Sequence, residues 1–275
     1  MTRIWLCADD YGISPAVNAA IRDLLVRGRI NATSVMVVAP SFHRAEALAL
    51  QALNTTTRRV AIGLHVTLTA PFHPLSGGFQ PLRDGAFPAL PALLMRACLR
   101  SLDQTALAAE IARQLHAFAE HFGRPPDFID GHQHVQLFPQ VREALLTVAR
   151  REAPDAWVRQ CGRVQPFVRA RDDRKGVLLD ILSRGFRRRA AALSVRTNPA
   201  FAGTYTFRDQ ADFADTFPQF LDRLPDGSVV MCHPGFVDPE LQKLDPLTTL
   251  REQEYAFFVQ DSFPGLLARH GVALA

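Results

Sequence analysis

Two adjacent carboxylates follow an apolar run near the start of the chain. Residues 4–8 are apolar, and Asp9, Asp10, Tyr11 and Gly12 come directly after them. Like charges packed side by side in a low dielectric resist ionisation unless a cation or a hydrogen-bond donor compensates them. Asp and Gly also end strands at ordinary turns. The pair alone is therefore compatible with a turn or with a cation site.

Four of the nine histidines stand in or just after strand-like runs: His65 in GLHVTLT, His132 and His134 in IDGHQHV, and His233 in MCHPG. A lone histidine in a strand is more often a core residue than a ligand, but four such settings beside an Asp pair favour a metal site. One carboxylate and two neutral imidazoles leave coordination positions open for water and substrate, and leave the other Asp free as a base. Mixed nitrogen and oxygen ligands are compatible with Zn²⁺, Mn²⁺, Co²⁺ and Mg²⁺.

The elements that must position these residues alternate between short apolar runs and helical patterns. Strands, often apolar on both faces as in a covered parallel sheet, are predicted at residues 3–8, 34–38, 59–68, 127–130, 156–159 and 228–232. Helices are predicted at 15–28 with Ser14 as N-cap, 107–122, 139–151, 211–223 and 249–269. This alternation indicates βαβ units in an α/β fold. In a parallel α/β barrel the carboxyl ends of the strands converge on one face, so the Asp pair and the histidines are expected to meet there.

The chain shows no linker rich in Gly or Ser and no internal repeat, so residues 1–275 are predicted to form a single domain. The segments 70–103 and 160–207 carry no clean pattern and are predicted to be long loops or helical insertions at the pocket rim.

Composition narrows the cellular setting and the partners. The chain has 275 residues, of which 48% are hydrophobic and 21% charged, with a formal net charge of +4. Nearly half of the basic residues lie between 142 and 208, but no aromatic residues are interleaved with them, so no nucleic-acid partner is expected. No apolar run approaches the roughly 18 residues of a membrane span, and no signal segment is recognised. These features predict a cytoplasmic protein without stable membrane insertion.

Five motifs, in this order, carry a resemblance to a known family: ADDYG with Asn18, GLHVTLT, DGHQHV followed by Pro139, WVR at 157–159, and CHPG. Together they resemble the YdjC-type carbohydrate deacetylases, which include chitooligosaccharide and hopanoid-associated deacetylases. The resemblance implies a distorted, TIM-like (β/α) barrel similar to the polysaccharide deacetylase and glycoside hydrolase barrels. It also implies one divalent ion of the Mg²⁺ type and a homodimer. The implied reaction hydrolyses the linear amide C–N bond of an N-acetylated amino sugar, in an oligosaccharide or a glycolipid headgroup.

Carried over position by position, the resemblance implies a role for each of five residues. Asp10, His65 and His132 match the metal ligands. Asp9 matches the general base that acts on water, and His233 matches the acid that protonates the departing amine.

The polar residues around this set are expected to support the ligands or contact substrate, each with a structural alternative. Asp130 holds a histidine by its second ring nitrogen, or caps a turn. On an extended backbone His134 would point away from His132, and it is expected behind the ligands or at the substrate. Arg159 grips substrate or forms a surface ion pair.

Three further positions complete the set. Asn18 is a substrate or structural contact, and Tyr11 is a packing residue or pocket wall. Gln136 stands where family members often have another histidine, on the substrate side or behind the ligands.

Two other functions remain open from the residues. One is a different metal-dependent barrel hydrolase, acting on a non-sugar amide or a phosphoester. Phosphoesterases usually assemble two or three metals and need more ligands than the motifs place here. The other is a metal-binding module without catalysis, against which the retained Asp9 argues, because a silent site needs only its ligands.

Overall fold

A parallel sheet forms the centre of the protein. The computed structural model describes residues 1–56, 59–165, 174–205 and 212–275. Its strands are β1 (Thr2–Tyr11), β2 (Ala32–Val35), β3 (Ala61–Val66), β4 (Phe128–Gly131), β5 (Trp157–Val158), β6 (Phe201–Ala202), β7 (Ser228–Cys232) and β8 (Val272–Leu274). Every residue of β2, β3, β4 and β7 is buried, as predicted for a sheet covered on both faces. The very short β6 and β8 were not predicted.

The sheet curls into a distorted barrel. The strand order is β5-β4-β3-β2-β1-β7-β6, and β8 pairs with the first residues of β1. Irregular contacts join the two ends of the sheet: the Val158 amide donates to the Arg196 carbonyl (2.9 Å), and the Phe201 amide donates to the Gly162 carbonyl (3.1 Å). The α/β barrel expected from the sequence is therefore confirmed, with a seam that is less regular than the rest.

Helices cover the sheet. They are α1 (Pro15–Val26), α2 (Arg44–Gln51), α3 (Leu90–Cys98), α4 (Gln104–Phe122), α5 (Pro139–Glu152), α6 (Arg174–Ala192), α7 (Phe213–Phe220), α8 (Pro239–Leu244), α9 (Thr249–Phe258) and α10 (Phe263–Arg269). Within the ranges given above, no helix combines the length and the apolar character that crossing a membrane requires.

Several helix predictions hold and one is wrong. Ser14 caps α1 by accepting a hydrogen bond from the Val17 amide (3.3 Å). The predicted helix at 249–269 is two helices, because the chain leaves helical geometry between Phe258 and Phe263. The segments 70–103 and 160–207 contain α3 and α6, the helical insertions that were one of the two expectations. Residues 166–173 and 206–211, which fall in the second of these segments and at the predicted start of the 211–223 helix, lie outside the described residues.

Candidate metal and catalytic site

A cavity of about 320 Å³ opens at the carboxyl ends of the strands. It is lined by residues in the last part of β1, β3, β4 and β7 and just after β4 and β7, together with the segment 245–248 before α9. Six of the residues singled out in the sequence line it: Asp9, Asp10, His65, His132, His134 and His233. Residues far apart in the chain thus meet at one end of the barrel, as parallel topology requires.

A local irregularity lets both members of the Asp pair face the cavity. Successive side chains on a regular strand point to opposite faces, so only one of two neighbouring carboxylates would reach it. Asp10 instead has a left-handed φ of 68°, and the register of β1 against β2 shifts between Ala8 and Tyr11. This bulge turns the Asp10 side chain to the same side as Asp9.

Asp10, His65 and His132 form a compact group of ligand atoms. The Oδ1 atom of Asp10 lies 2.9 Å from Nδ1 of His132 and 3.3 Å from Nε2 of His65. All three side chains are buried, and their ligand atoms lie within 4.8 Å of one another. An oxygen atom and two imidazole nitrogens at this spacing are a donor set that suits a divalent metal ion.

Asp130 supports His65 from behind. Its Oδ1 atom lies 2.6 Å from Nδ1 of His65, which leaves Nε2 directed at Asp10. Carboxylates hold metal-binding imidazoles in this way, fixing the ring and its tautomer. Burial opposes protonation of His65, but Asp130, Asp10 and Asp9 together raise its pKa to about 10. The surroundings of this ring therefore attract positive charge.

Arg159 is the residue whose position departs most from expectation. It is fully buried, so it neither forms a surface ion pair nor lines the cavity where a substrate would lie. Its Nη1 and Nη2 atoms donate to the two oxygens of Asp9 at 2.7 and 2.8 Å, and Nη2 lies 2.6 Å from Oδ2 of Asp130. Burial opposes ionisation of Asp9, but Arg159 prevails and holds the pKa of that carboxyl well below its usual range.

The Arg159 guanidinium also occupies the centre of a second group of possible metal ligands. Cys7, Asp9 and Asp130 also lie within ligand distance of one another. Arg159 contacts all three, including the Cys7 sulfur at 3.0 Å. The positive charge that this group requires is therefore supplied by the protein, and among the residues that the structure describes the Asp10 cluster remains as the candidate for an ion.

The backbone after β4 is not the extended one that was assumed for His134, although the residue still lies where a substrate could reach it. Residues 132–137 form a short 3-10 segment in which Gln133 and His134 have left-handed φ values of 55° and 61°. The backbone is not extended there, so His134 does not point away from His132, and both line the cavity. Nδ1 of His134 lies 3.6 Å from the sulfur of Cys161. Gln136 is buried behind these residues, and its amide donates to the Arg159 carbonyl (3.4 Å).

Tyr11 and Asn18 are not among the residues that line the cavity. The Asn18 side chain accepts from the Gly12 amide (2.6 Å) and donates to the Ser41 carbonyl (3.0 Å), so it fastens the turn after β1. The Tyr11 hydroxyl donates to Glu46, and the side chain is fully buried. Both residues are structural, which was one of the alternatives for each.

His233 lies at the end of β7 and is supported by a residue that the sequence analysis missed. The His233 amide donates to Oε2 of Glu254 (2.5 Å), and the Tyr205 hydroxyl donates to Oε1 of the same carboxyl (2.6 Å). Burial lowers the pKa of His233 to about 4, and burial raises the pKa of Glu254 to about 7. Charged residues in a helix are normally assigned to the surface. The burial of Glu254 could have been predicted from helical spacing, because Arg251, Glu254 and Phe258 lie on one buried face of α9.

The raised pKa of Glu254 predicts a pH-dependent effect of Glu254→Gln on stability. Between about pH 4.5 and 7 the folded protein keeps a proton on Glu254 that the unfolded chain has released, so this group's contribution to stability is lost as the pH rises. The free energy of unfolding of the wild type should therefore fall relative to that of Glu254→Gln, by on the order of 3 kcal/mol, from pH 4.5 to 7.5.

Urea unfolding of both proteins across that range measures the difference. Glu252→Gln, at an exposed position of the same helix, is the matched control and should give a difference that does not change with pH. A constant difference for Glu254→Gln would contradict the prediction.

Comparisons with known proteins identify the family of the chain. The profile of the YdjC-like protein family matches residues 3–269. A chitooligosaccharide deacetylase of Klebsiella pneumoniae is 28% identical over 251 residues, which cover 88% of each chain. One from Serratia marcescens is 28% identical over 257 residues, again 88% of each chain.

Solved structures show the same fold. A protein of Enterococcus faecalis, described as a candidate for cellobiose-phosphate cleavage, superposes with a TM-score of 0.76 at 20% identity, covering 100% of this chain and 97% of that one. A family 4 carbohydrate esterase of Streptomyces lividans, solved with acetate, superposes with a TM-score of 0.52 at 11% identity, covering 100% and 92%. These two likenesses support the distorted barrel. Because the family profile spans nearly the whole chain, this protein belongs to the YdjC-like family.

Proposed function

We propose that this protein is a metal-dependent N-deacetylase that releases acetate from an acetylated amino sugar, with short chitooligosaccharides as the first candidates. The observation that carries the proposal is a cavity that brings the Asp10, His65 and His132 donors beside an ionised Asp9 held by a buried arginine. The chitooligosaccharide deacetylases that resemble the chain over 88% of its length support the substrate class.

The donor set fits a divalent ion held by Asp10, His65 and His132. When bound, such an ion supplies Lewis acidity that polarises the acetyl carbonyl and lowers the pKa of water. The family resemblance implies Mg²⁺, an ion that prefers oxygen ligands. Two imidazoles suit Zn²⁺, Mn²⁺ or Co²⁺ better, so we infer that one of these ions supports the higher activity.

Asp9 is proposed as the base that takes a proton from the attacking water. Arg159 keeps Asp9 ionised in a buried position and fixes both of its oxygens. The same ion pair makes the carboxylate a weak base, so proton transfer to Asp9 depends on an acidified water. Ser34 adds a third contact, with its hydroxyl donating to Oδ1 of Asp9 (3.2 Å).

His233 is proposed to deliver a proton to the nitrogen as the amide bond breaks. Water adds to the acetyl carbon, the C–N bond cleaves, and the amine must leave as a neutral group because an amide anion is too poor a leaving group. With its pKa near 4, His233 is neutral at neutral pH in the free protein, so it first accepts a proton and then passes it on. The proton that Asp9 takes from water is the one that His233 must acquire and pass to the nitrogen, and both side chains line the cavity in which the substrate lies.

A phosphoesterase with two metals fits the site less well. A second ion would need its own ligands beside the Asp10 cluster. The second donor group among the described residues, Cys7, Asp9 and Asp130, already surrounds the Arg159 guanidinium. We therefore favour a single ion and amide hydrolysis.

The proposal is tested by acetate release from N-acetylated chitobiose and chitotriose. The protein is stripped with a chelator and then loaded with Mg²⁺, Mn²⁺, Co²⁺ or Zn²⁺ in separate samples. An N-acetylated amino acid provides the non-sugar amide for comparison. Release from the sugars in a loaded sample, and none in the stripped sample, is the expected result. Release from the amino acid alone would contradict the sugar substrate.

The proposed role of His233 predicts a dependence on the leaving group. His233→Gln should lower kcat/KM for the N-acetylated sugar by about 10²–10⁴-fold, the range for loss of a general acid. For 4-nitrophenyl acetate the loss should stay below about tenfold, because nitrophenolate departs without a proton. The measurement is kcat/KM of the wild type and of the variant for each of the two substrates. Equal losses on the two substrates would contradict an acid role.

A further inference from the structure

A buried guanidinium connects the proposed metal ligand with the rim of the cavity. Arg251, on the first turn of α9, is fully buried. Its Nη2 atom donates to Oδ2 of Asp10 (2.6 Å) and to Oδ2 of Asp245 (3.0 Å), and its Nε atom donates to the Leu247 carbonyl (2.9 Å). One side chain therefore holds two carboxylates and one backbone carbonyl from two parts of the chain, the end of β1 and the segment 245–248.

The two carboxylate oxygens of Asp10 have different partners. Oδ2 is occupied by Arg251, whereas Oδ1 faces His132 and His65 at 2.9 and 3.3 Å. An unfastened carboxylate could rotate about its χ2 bond and offer either oxygen or both to an ion. The arginine leaves only Oδ1 directed at the imidazoles, which predisposes Asp10 to bind an ion through one oxygen.

The segment 245–248, which Arg251 contacts, forms part of the cavity wall. Asp245, Pro246, Leu247 and Thr248 all line it. Asp245 also accepts from the Leu247 amide (2.7 Å), which makes this segment a tight turn whose position depends on Arg251. A change at Arg251 would therefore alter the wall against which a substrate packs.

We propose that Arg251 is a positioning residue that orients the metal ligand Asp10 and the cavity rim at 245–248 at the same time. The inference rests on the metal site of the proposed function. It assigns to one guanidinium both the one-oxygen binding of Asp10 and the placement of the rim. Loss of Arg251 should therefore change metal binding and substrate binding together, whereas loss of Asp245 should change substrate binding alone.

Four variants test this assignment. Arg251→Met removes the guanidinium with little change in volume, and Arg251→Lys keeps the charge but cannot form the same planar fork. Asp245→Asn weakens only the rim contact. Arg163→Met is the matched control, because Arg163 also pairs with a buried carboxylate, Asp180, and is not among the residues that line the cavity.

The readouts are the Mn²⁺ dissociation constant from calorimetry, the visible spectrum of bound Co²⁺, and KM for the N-acetylated sugar. Arg251→Met should weaken Mn²⁺ binding by about 10–100-fold, the cost of removing a partner of a ligand, and should change the Co²⁺ bands, which report coordination. Arg251→Lys should recover part of the affinity. Asp245→Asn should raise KM with Mn²⁺ affinity within about threefold of the wild type. Arg163→Met should leave all three readouts unchanged.

The outcomes separate this inference from the proposed function. Folded Arg251→Met or Arg251→Lys protein that binds Mn²⁺ as tightly as the wild type, with the same Co²⁺ spectrum, overturns the positioning role. Should Arg251→Met not fold, the lysine variant decides alone. A wild type that binds metal but releases no acetate contradicts the proposed function and leaves the inference standing. A wild type that binds no divalent metal overturns both.

Discussion

Asp9→Asn should remove most of the acetate release and leave metal binding intact. The substitution keeps the size of the side chain and removes the group proposed to accept a proton from water. Loss of a general base costs about 10²–10⁴-fold in rate, so kcat should fall by that factor. The Mn²⁺ affinity should stay within about threefold of the wild type, because Asp9 is bound by Arg159 and lies outside the Asp10, His65 and His132 group. Calorimetry and the acetate assay on the same preparation make the measurement.

Asp130→Asn is the matched comparison for this variant. Both substitutions take one carboxylate away from the buried Arg159, so both perturb the same ion pairs. Asp130, however, supports His65, and its loss should weaken metal binding by about 10–100-fold. A variant Asp9→Asn that loses metal as Asp130→Asn does, or that keeps more than about a tenth of the wild-type rate, would contradict the assignment of the base.

Asp10→Asn should remove both metal and activity. An amide oxygen is neutral and a far weaker ligand than a carboxylate, and Asp10 is the one anionic donor in the proposed ligand set. We expect the Mn²⁺ affinity to fall by more than about 100-fold, since this change removes a ligand itself rather than one of its partners. Acetate release should fall to the level of the chelator-treated wild type.

Metal content after dialysis, with circular dichroism to verify the fold, measures the effect of Asp10→Asn. The exposed Asp222→Asn is the control for a single lost carboxylate and should keep its metal and its activity. Tight, stoichiometric metal in Asp10→Asn would show that the ion lies elsewhere.

The sequence was sufficient to predict the fold and the meeting of the candidate residues. Short β-branched runs buried on both faces require a covered parallel sheet, and such a sheet brings its carboxyl ends to one edge. This reasoning placed Asp10, His65 and His132 in one cavity without knowledge of any contact. The strands it missed, β6 and β8, have two and three residues, too few for a hydrophobic period to be visible.

The orientation of individual side chains could not be predicted, because it depends on local backbone geometry. The left-handed residues Asp10, Gln133 and His134 carry no glycine signal, yet they turn carboxylates and imidazoles toward the cavity against the ordinary alternation of a strand. The directions in which the Asp10 and His134 side chains point are consequences of those three backbone angles.

The burial of charged residues was also not predicted from the sequence. Arg159 was expected at the substrate or at the surface, and no role was predicted for Arg251 or Glu254, although all three are buried. Arginine and glutamate are seldom fully buried unless they are paired, and the carboxylates that pair with Arg251 lie six residues away or at the other end of the chain. Only the folded structure shows that these charges support the site.

A titration of activity against metal tests the central claim most directly. Chelator-treated protein at known concentration is supplied with increasing Mn²⁺, and acetate release from N-acetylated chitobiose is followed at each addition. We predict no release before metal is added and a linear rise that ends at one equivalent per chain, since the described residues offer a single free donor group at Asp10, His65 and His132. Full activity in the stripped protein, or a rise that continues to two equivalents, would contradict a deacetylase with one metal ion.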